Sequence, residues 1–341
     1  MQNQRQSNIE LLRIIAITMV LILHFNVHGW NPDILRGGLV FSWSSLGGNL
    51  VESFSICAVN VFVLISGYFA IKLSVKSVLN LYIRCFIIGL ITYLAYLLIA
   101  HEPVSITALA GRVLAFTHNH WWFVISYLGL MAISPILNAG CEALDKRTFQ
   151  YTIVILTIFL LYFGWGKYLE KLNDGYSLIH FIYLYIVARY LKLHVSSTSI
   201  RTYRWLWLGL FVVSAVCLCV MSYSISRNMF TYDNPIVVLE SLFMLQFFLS
   251  IPFYNRFVNW AAASVFSAYL IQESPYFGYR WIYPTVSDSI ANGALGGGAL
   301  LFALYVAGVL VLSILIDQII VVPIIQWSNR LLVYAENKRN S

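Results

Sequence analysis

Asn8-Ile9-Glu10-Leu11-Leu12-Arg13-Ile14-Ile15-Ala16-Ile17-Thr18-Met19-Val20-Leu21-Ile22-Leu23-His24-Phe25 is the stretch that decides the class of fold. A helix needs about 20 mainly apolar residues to cross the hydrocarbon core of a bilayer. The run from Ile9 to Trp30 supplies that length. A positive start (Arg5, Arg13) followed by an apolar stretch also describes a signal peptide. No small-x-small cleavage site follows, and many further apolar runs do, so the segment reads as an uncleaved first helix.

The rest of the chain repeats the pattern. Of its 341 residues, 60% are hydrophobic and only 10% are charged, with a mean hydropathy of +0.77. A soluble domain usually carries about 25% charged residues, so this chain has too little polar surface to cover a globule in water. The net charge of +7 does not point to nucleic acid, because the basic residues sit in short clusters between apolar runs, as topology signals do. The five cysteines, Cys57, Cys85, Cys141, Cys217 and Cys219, match no zinc or disulfide spacing and read as small buried hydrophobes.

Ten spans are expected: Ile9 to Trp30, Leu50 to Ala70, Val78 to Ala100, Trp121 to Leu137, Tyr151 to Trp165, Ser177 to Leu193, Trp205 to Tyr223, Pro235 to Phe253, Ala261 to Tyr283 and Gly298 to Val322. The fourth, fifth and sixth are short. With the N-terminus inside, most Lys and Arg fall in inside segments, among them Lys72, Lys76, Arg84, Lys146, Arg147, Arg189, Lys192, Arg201 and Arg204; Arg36, Arg112, Lys167, Lys171, Arg227 and Arg280 fall outside. The positive-inside rule then predicts an all-α, polytopic membrane bundle of about ten helices with both termini in the cytoplasm. Trp and Tyr cluster at the span ends as an aromatic belt. The chain shows no soluble domain, long linker or repeat, and residues 1–341 read as one transmembrane domain.

Ionisable residues inside spans are costly and mark function by default. Here they are Arg13, His24, Glu52, Arg84, His180, Glu240, Glu273 and Asp317. In the N-in topology Arg13 and Arg84 lie toward the cytoplasm, whereas His24, Glu52, His180, Glu240 and Glu273 lie toward the outer half. That order suits an anionic cytoplasmic donor meeting a neutral, hydroxyl-bearing acceptor. Arg13 and His24 are the sharpest pair. Eleven helical steps bring them about 20° past three full turns, so they share one face roughly 16 Å apart. They can line one cavity, with the permanent charge of Arg13 suited to phosphate and His24 suited to act as a general base. From this pair alone, a bland reading stands equally: His24 bonds a neighbouring helix and Arg13 snorkels to the interface.

Ser66-Gly67-Tyr68 closes the second span, where Gly67 permits close helix approach. His118-Asn119-His120-Trp121-Trp122 opens the fourth. Two histidines without a third ligand do not make a metal site, so none is expected. Trp122 suits stacking on a sugar or pantetheine, although the aromatic belt explains it as well. Glu273, preceded by Tyr269-Leu270-Ile271-Gln272, either orients a histidine or sugar hydroxyls, or forms a structural pair. Asp317 reads as structural.

These residues resemble the membrane acyltransferase-3 family, bacterial enzymes that O-acylate surface polysaccharides and related glycans. The resemblance is carried by Asn8-Ile9-Glu10-Leu11-Leu12-Arg13 with ten residues between Arg13 and His24, by Val61-Phe62-Val63-Leu64-Ile65-Ser66-Gly67-Tyr68-Phe69, and by His120-Trp121-Trp122-Phe123. Tyr127-Leu128-Gly129-Leu130, Ser134-Pro135-Ile136-Leu137-Asn138 and Tyr269-Leu270-Ile271-Gln272-Glu273 complete it. It implies His24, Arg13 and Glu273 as catalytic residues, with Arg13, Lys72, Lys76 and Arg84 on acyl-coenzyme A. It further implies that Ser66, Gly67 and Tyr68 shape the cavity, and His120, Trp122 and the intramembrane Glu240 are expected to line it with Ser66 and Tyr68 on the acceptor side. Gln272 stands where the family often has histidine, and the basic cluster entering the third span is sparser than in some members. The resemblance implies acetyl-coenzyme A as a passing donor rather than a resident cofactor. The acceptor would be a glycan or lipid-linked glycan, and the location the bacterial inner membrane. A proton-coupled glycan or lipid transporter is the alternative, although no inverted repeat supports it.

Overall fold

The computed structural model describes residues 5–30, 34, 39–113, 121–167, 172–225, 227–291 and 298–340. It is helical throughout, with no strand among the described residues. Seven of the described helices are long and apolar enough to cross a membrane.

The chain divides into two compact units, Met1–Lys72 with Ser126–Ala262, and Leu73–Ile125 with Ala263–Ser341. In the first unit α1 (Ser7–Phe25) packs against α2 (Trp43–Ser55) and α3 (Ala58–Phe69). The chain returns through α6 (Trp122–Ala143) into α7 (Lys146–Phe159), α8 (Leu178–His194), α9 (Ser197–Thr202), α10 (Arg204–Ser224), α11 (Pro235–Ser250) and α12 (Arg256–Ala262). The main seams pair α10 with α11 and α3 with α8, and α1 also touches α11 and α12. The second unit holds α4 (Val75–Ala100), α5 (Ile106–Val113), α13 (Phe266–Gln272), α14 (Tyr283–Ala291), α15 (Gly298–Ile316) and α16 (Val322–Asn340). There α13 packs on α4 and α15.

Polar caps fix where the helices begin. Ser42 and Ser74 accept from the backbone N–H of Ser45 and Ser77, whose hydroxyls accept in return, a reciprocal satisfaction of the free donors at a helix start. Asp145, Ser177 and Asn234 cap α7, α8 and α11. Pro235 follows Asn234 as the first residue of α11, where its missing N–H costs nothing.

The expected spans and the helices differ in instructive places. The fourth and fifth spans, expected short, are helices of 22 and 21 residues, because regular backbone runs on past the apolar stretch into polar flanks. The sixth and eighth are short helices of 17 and 16 residues. The expected ninth span is not continuous: the helix breaks after Ala262 and again after Gln272, then resumes in a wide π turn, Gly278–Ile282. Ser274-Pro275 explains the second break, since proline offers no N–H to the preceding turn and disfavours helical backbone in the residue before it. The tenth continues into α16 beyond Val322.

Candidate functional site

α1 is the spine of the candidate site. Asn8 Nδ2 donates to the carbonyl of Phe248 at 2.8 Å. Ser7 Oγ bonds Asn259 Oδ1 at 2.8 Å and accepts from the backbone N–H of Asn255 at 2.8 Å. These contacts tie the first turn to the end of α11 and the start of α12. At the far end Asn26 Nδ2 donates to Glu52 Oε2 at 2.8 Å and to the carbonyl of Gly48 at 3.2 Å, which latches α1 to α2. Between these anchors Arg13 and His24 occupy one unbroken helix, and both are half-buried.

Immediately after His24 the helix widens into a π turn, Asn26–Trp30, a local irregularity common at functional sites. It brings His28 near His24, with ring centroids 6.3 Å apart. His28 was absent from the sequence reading. Its signal was available as two histidines four apart, both inside the expected span Ile9 to Trp30.

At the Arg13 end lies a cavity of about 410 Å³, walled by Arg5, Gln6, Ile9, Glu10 and Arg13, by Tyr68 and Phe69, and by Arg189 and Lys192. Four cations and one carboxylate line it. Glu10 sits 3.5 Å from Arg13, and Lys192 Nζ lies 5.0 Å from the centre of the Tyr68 ring, a cation–π contact that holds both side chains. Arg189 is buried and bonds Glu142 Oε1 at 2.9 Å. Arg189 and Lys192 entered the sequence reading only as loop cations, because nothing local shows that α8 aims them at α1.

The seam between α3 and α8 decides that aim. A Cβ at Gly67 would stand 2.7 Å from the carbonyl oxygen of Tyr185 and 2.9 Å from Ala188 Cβ, so only glycine allows the helices to close here. Ser66 Oγ bonds the Phe62 carbonyl at 2.9 Å and Tyr127 OH at 3.1 Å. Past Tyr68 the chain turns sharply through Ala70, at φ 59° and ψ 113°. A three-way clamp holds that turn. Tyr185 OH accepts from the Ile71 N–H at 2.9 Å and donates to Asn138 Oδ1 at 2.8 Å, and Asn138 Nδ2 donates to the Ile71 carbonyl at 3.0 Å. Asn138 is thus the working residue of the Ser134-Pro135-Ile136-Leu137-Asn138 stretch.

The other expected site residues fall elsewhere. Lys72 and Lys76 are exposed. Arg84 belongs to the second unit and is ion-paired with buried Asp317 at 2.7 Å, with Ser267 Oγ donating to the same oxygen at 2.6 Å. Glu273 also lies in the second unit, buried, with its two oxygens accepting from Tyr279 and Tyr283 at 2.7 Å each. Glu240 is buried on α11 and interacts with the Cys57 thiol. Trp122 opens α6 beside Phe123. His120 lies outside the described residues. Among the described residues, no three metal-ligating side chains come together.

A family model described as an acyltransferase domain, of the acyltransferase-3 type, matches residues 6–318. Comparison with curated proteins and with solved structures gave no match.

Proposed function

The chain belongs to the acyltransferase-3 family, whose members are membrane acyltransferases, and from that premise we propose that it moves an acyl group, acetyl in the first instance, from cytoplasmic acyl-coenzyme A to a hydroxyl of a surface polysaccharide or its lipid-linked precursor. The proposed site of action is the cytoplasmic membrane of a bacterium, with the N-terminus inside.

One observation carries this reading: a cavity bearing four cations sits at the Arg13 end of the same helix whose other end carries His24. Coenzyme A is polyanionic and attached to its thioester by a long, neutral pantetheine arm. Its phosphates suit Arg5, Arg13, Arg189 and Lys192 through charge-assisted hydrogen bonds. The arm would run along α1, covering the roughly 16 Å between Arg13 and His24. His24 takes the proton of the acceptor hydroxyl as its oxygen bonds to the thioester carbonyl carbon. The carbon–sulfur bond then breaks, and the coenzyme A thiolate recovers a proton from the imidazolium. Lys72, Lys76 and Arg84 have smaller parts in this scheme than Arg189 and Lys192, since they are not among the residues that line this cavity.

The test is release of free coenzyme A thiol from acetyl-coenzyme A by protein in nanodiscs, with and without host surface glycans. Wild-type release should depend on glycan and vanish in His24→Ala. Arg189→Ala with Lys192→Ala should raise KM for acetyl-coenzyme A at least tenfold, and the effect should shrink as salt rises. Wild-type release from His24→Ala would overturn the mechanism. Transport of glycan without thiol release would favour the transporter.

A further inference from the structure

Among the cations at the Arg13 end of α1 stands one acidic side chain whose hydrogen-bonding capacity they leave unused. Glu10 lines the cavity and is only 7% exposed. Its Oε1 lies 3.5 Å from Arg13 Nη1, too far for a good hydrogen bond. Its Oε2 has no hydrogen-bond partner.

Arg189, on α8, presents the opposite need to the same cavity. It is 5% exposed, and its Nη2 donates to Glu142 Oε1 at 2.9 Å. That ion pair sits one turn beyond the bond between Asn138 and Tyr185 on both helices, so the guanidinium is held at a fixed place. Its Nε–H has no partner. α3 packs against both α1 and α8, and its end, Tyr68 and Phe69, lines the cavity with them. An unmet acceptor and an unmet donor therefore reach one space from two helices, and each is costly to leave without a partner.

The chemistry of the two groups selects what can satisfy both. A phosphate accepts from Arg189 but offers nothing to Glu10, whose carboxylate repels it. A hydroxyl carries its donor and its acceptor on one atom and serves one wall. A secondary amide carries N–H and C=O on opposite edges of one rigid plane, which suits an acceptor on α1 and a donor on α8. We propose that Glu10 and Arg189 are a specificity-determining pair that grips a secondary amide of the ligand, its N–H on Glu10 Oε2 and its C=O on Arg189 Nε, while Glu10 turns away phosphate compounds that lack such an amide. The proposal rests on the acyl-coenzyme A reading of this cavity, in which the amide belongs to the pantetheine arm. ADP and ATP share the donor's phosphates but not its amides, so repulsion by Glu10 is offset only for the pantetheine ligand.

The test is calorimetric titration of the full chain in phosphatidylcholine nanodiscs with two probes. Coenzyme A carries the amides; adenosine 3′,5′-bisphosphate carries phosphates and adenine without them. Glu10→Ala loses an acceptor and a repelling charge together, so it should weaken coenzyme A and tighten the bisphosphate, moving the ratio of the two dissociation constants by about tenfold or more. Glu10→Gln keeps an acceptor and should return the ratio most of the way to wild type. Arg189→Lys keeps the charge but loses Nε, and should weaken coenzyme A several-fold while the bisphosphate changes by less than about twofold. Parallel changes for both probes in Glu10→Ala overturn the pair, since a fold defect or a contact with the shared adenine weakens both and bare charge removal tightens both. A ratio as far displaced in Glu10→Gln as in Glu10→Ala also overturns it. If Glu10→Ala does not fold, Arg189→Lys decides, and an unmoved ratio there overturns the pair. Thiol release from acetyl-coenzyme A with an unmoved ratio sinks the pair and leaves the acyltransferase reading intact. A displaced ratio without thiol release does the reverse.

Discussion

Gly67→Ala replaces a hydrogen by a methyl group at the tightest point of the seam between α3 and α8. The new methyl would meet the Tyr185 carbonyl oxygen at 2.7 Å, and Ala188 Cβ and Tyr185 Cα at 2.9 Å. Comfortable carbon contacts are about 3.5–4.0 Å, so the helices must part by roughly 1 Å. Two of the obstructing atoms are backbone, which cannot swing aside as a side chain does. Overpacking of this kind costs about 1–3 kcal/mol. The displacement would also reach the cavity, because Tyr68 follows Gly67 directly while Arg189 and Lys192 follow Ala188 within a turn. The Lys192–Tyr68 contact, now 5.0 Å, should lengthen. Gly67→Ala should therefore lower the thermal midpoint in nanodiscs and raise KM for acetyl-coenzyme A several-fold, with a smaller change in kcat because His24 is remote from the seam. Thermal unfolding and thiol-release kinetics on the same preparation measure both effects. A variant with wild-type midpoint and wild-type KM would refute the claim that this contact sets the cavity.

Three further perturbations have defined outcomes. Asp317→Ala leaves Arg84 without its buried partner and should destabilise the second unit by about 3–5 kcal/mol, while Arg84→Met combined with Asp317→Leu should recover most of that loss; fluorescence-detected size-exclusion after heating reads both. Ala70→Gly should stabilise by about 1 kcal/mol, since glycine meets no Cβ penalty at φ 59°, and a lower thermal midpoint would show that the turn is not left-handed. Tyr185→Phe removes the hydroxyl that joins Ile71 to Asn138 and should raise KM for acetyl-coenzyme A without changing thiol release at saturation; an altered kcat with unchanged KM would argue that the clamp does not act on the donor cavity.

The share of each layer legible in the chain follows from the range of the forces involved. Apolar runs about one bilayer long announce α1, α4, α10 and α15 with no knowledge of their neighbours, because the solvent alone decides them. Where serine, proline and glycine interrupt a run, hydropathy averaged over the window conceals the break. That is why the expected ninth span resolves into α13 and the π turn at Gly278–Ile282. Helical periodicity likewise places Arg13 and His24 on one face, and they do lie on a single unbroken helix.

Periodicity along one helix says nothing of which other helix completes a cavity. Arg189 and Lys192 read as topology signals until Gly67 lets α8 close on α3 and turns them toward Arg13. Arg84 read as a phosphate ligand until the fold placed Asp317 against it, 233 residues further along the chain. By itself, then, the sequence determined the solvent, the helical class and the Arg13–His24 axis, because these depend on composition and on the local geometry of one helix. The tertiary structure alone decided which cations line one cavity with Arg13 and which carboxylates are satisfied, because hydrogen bonds and side-chain contacts reach only a few ångströms and join residues far apart in the chain.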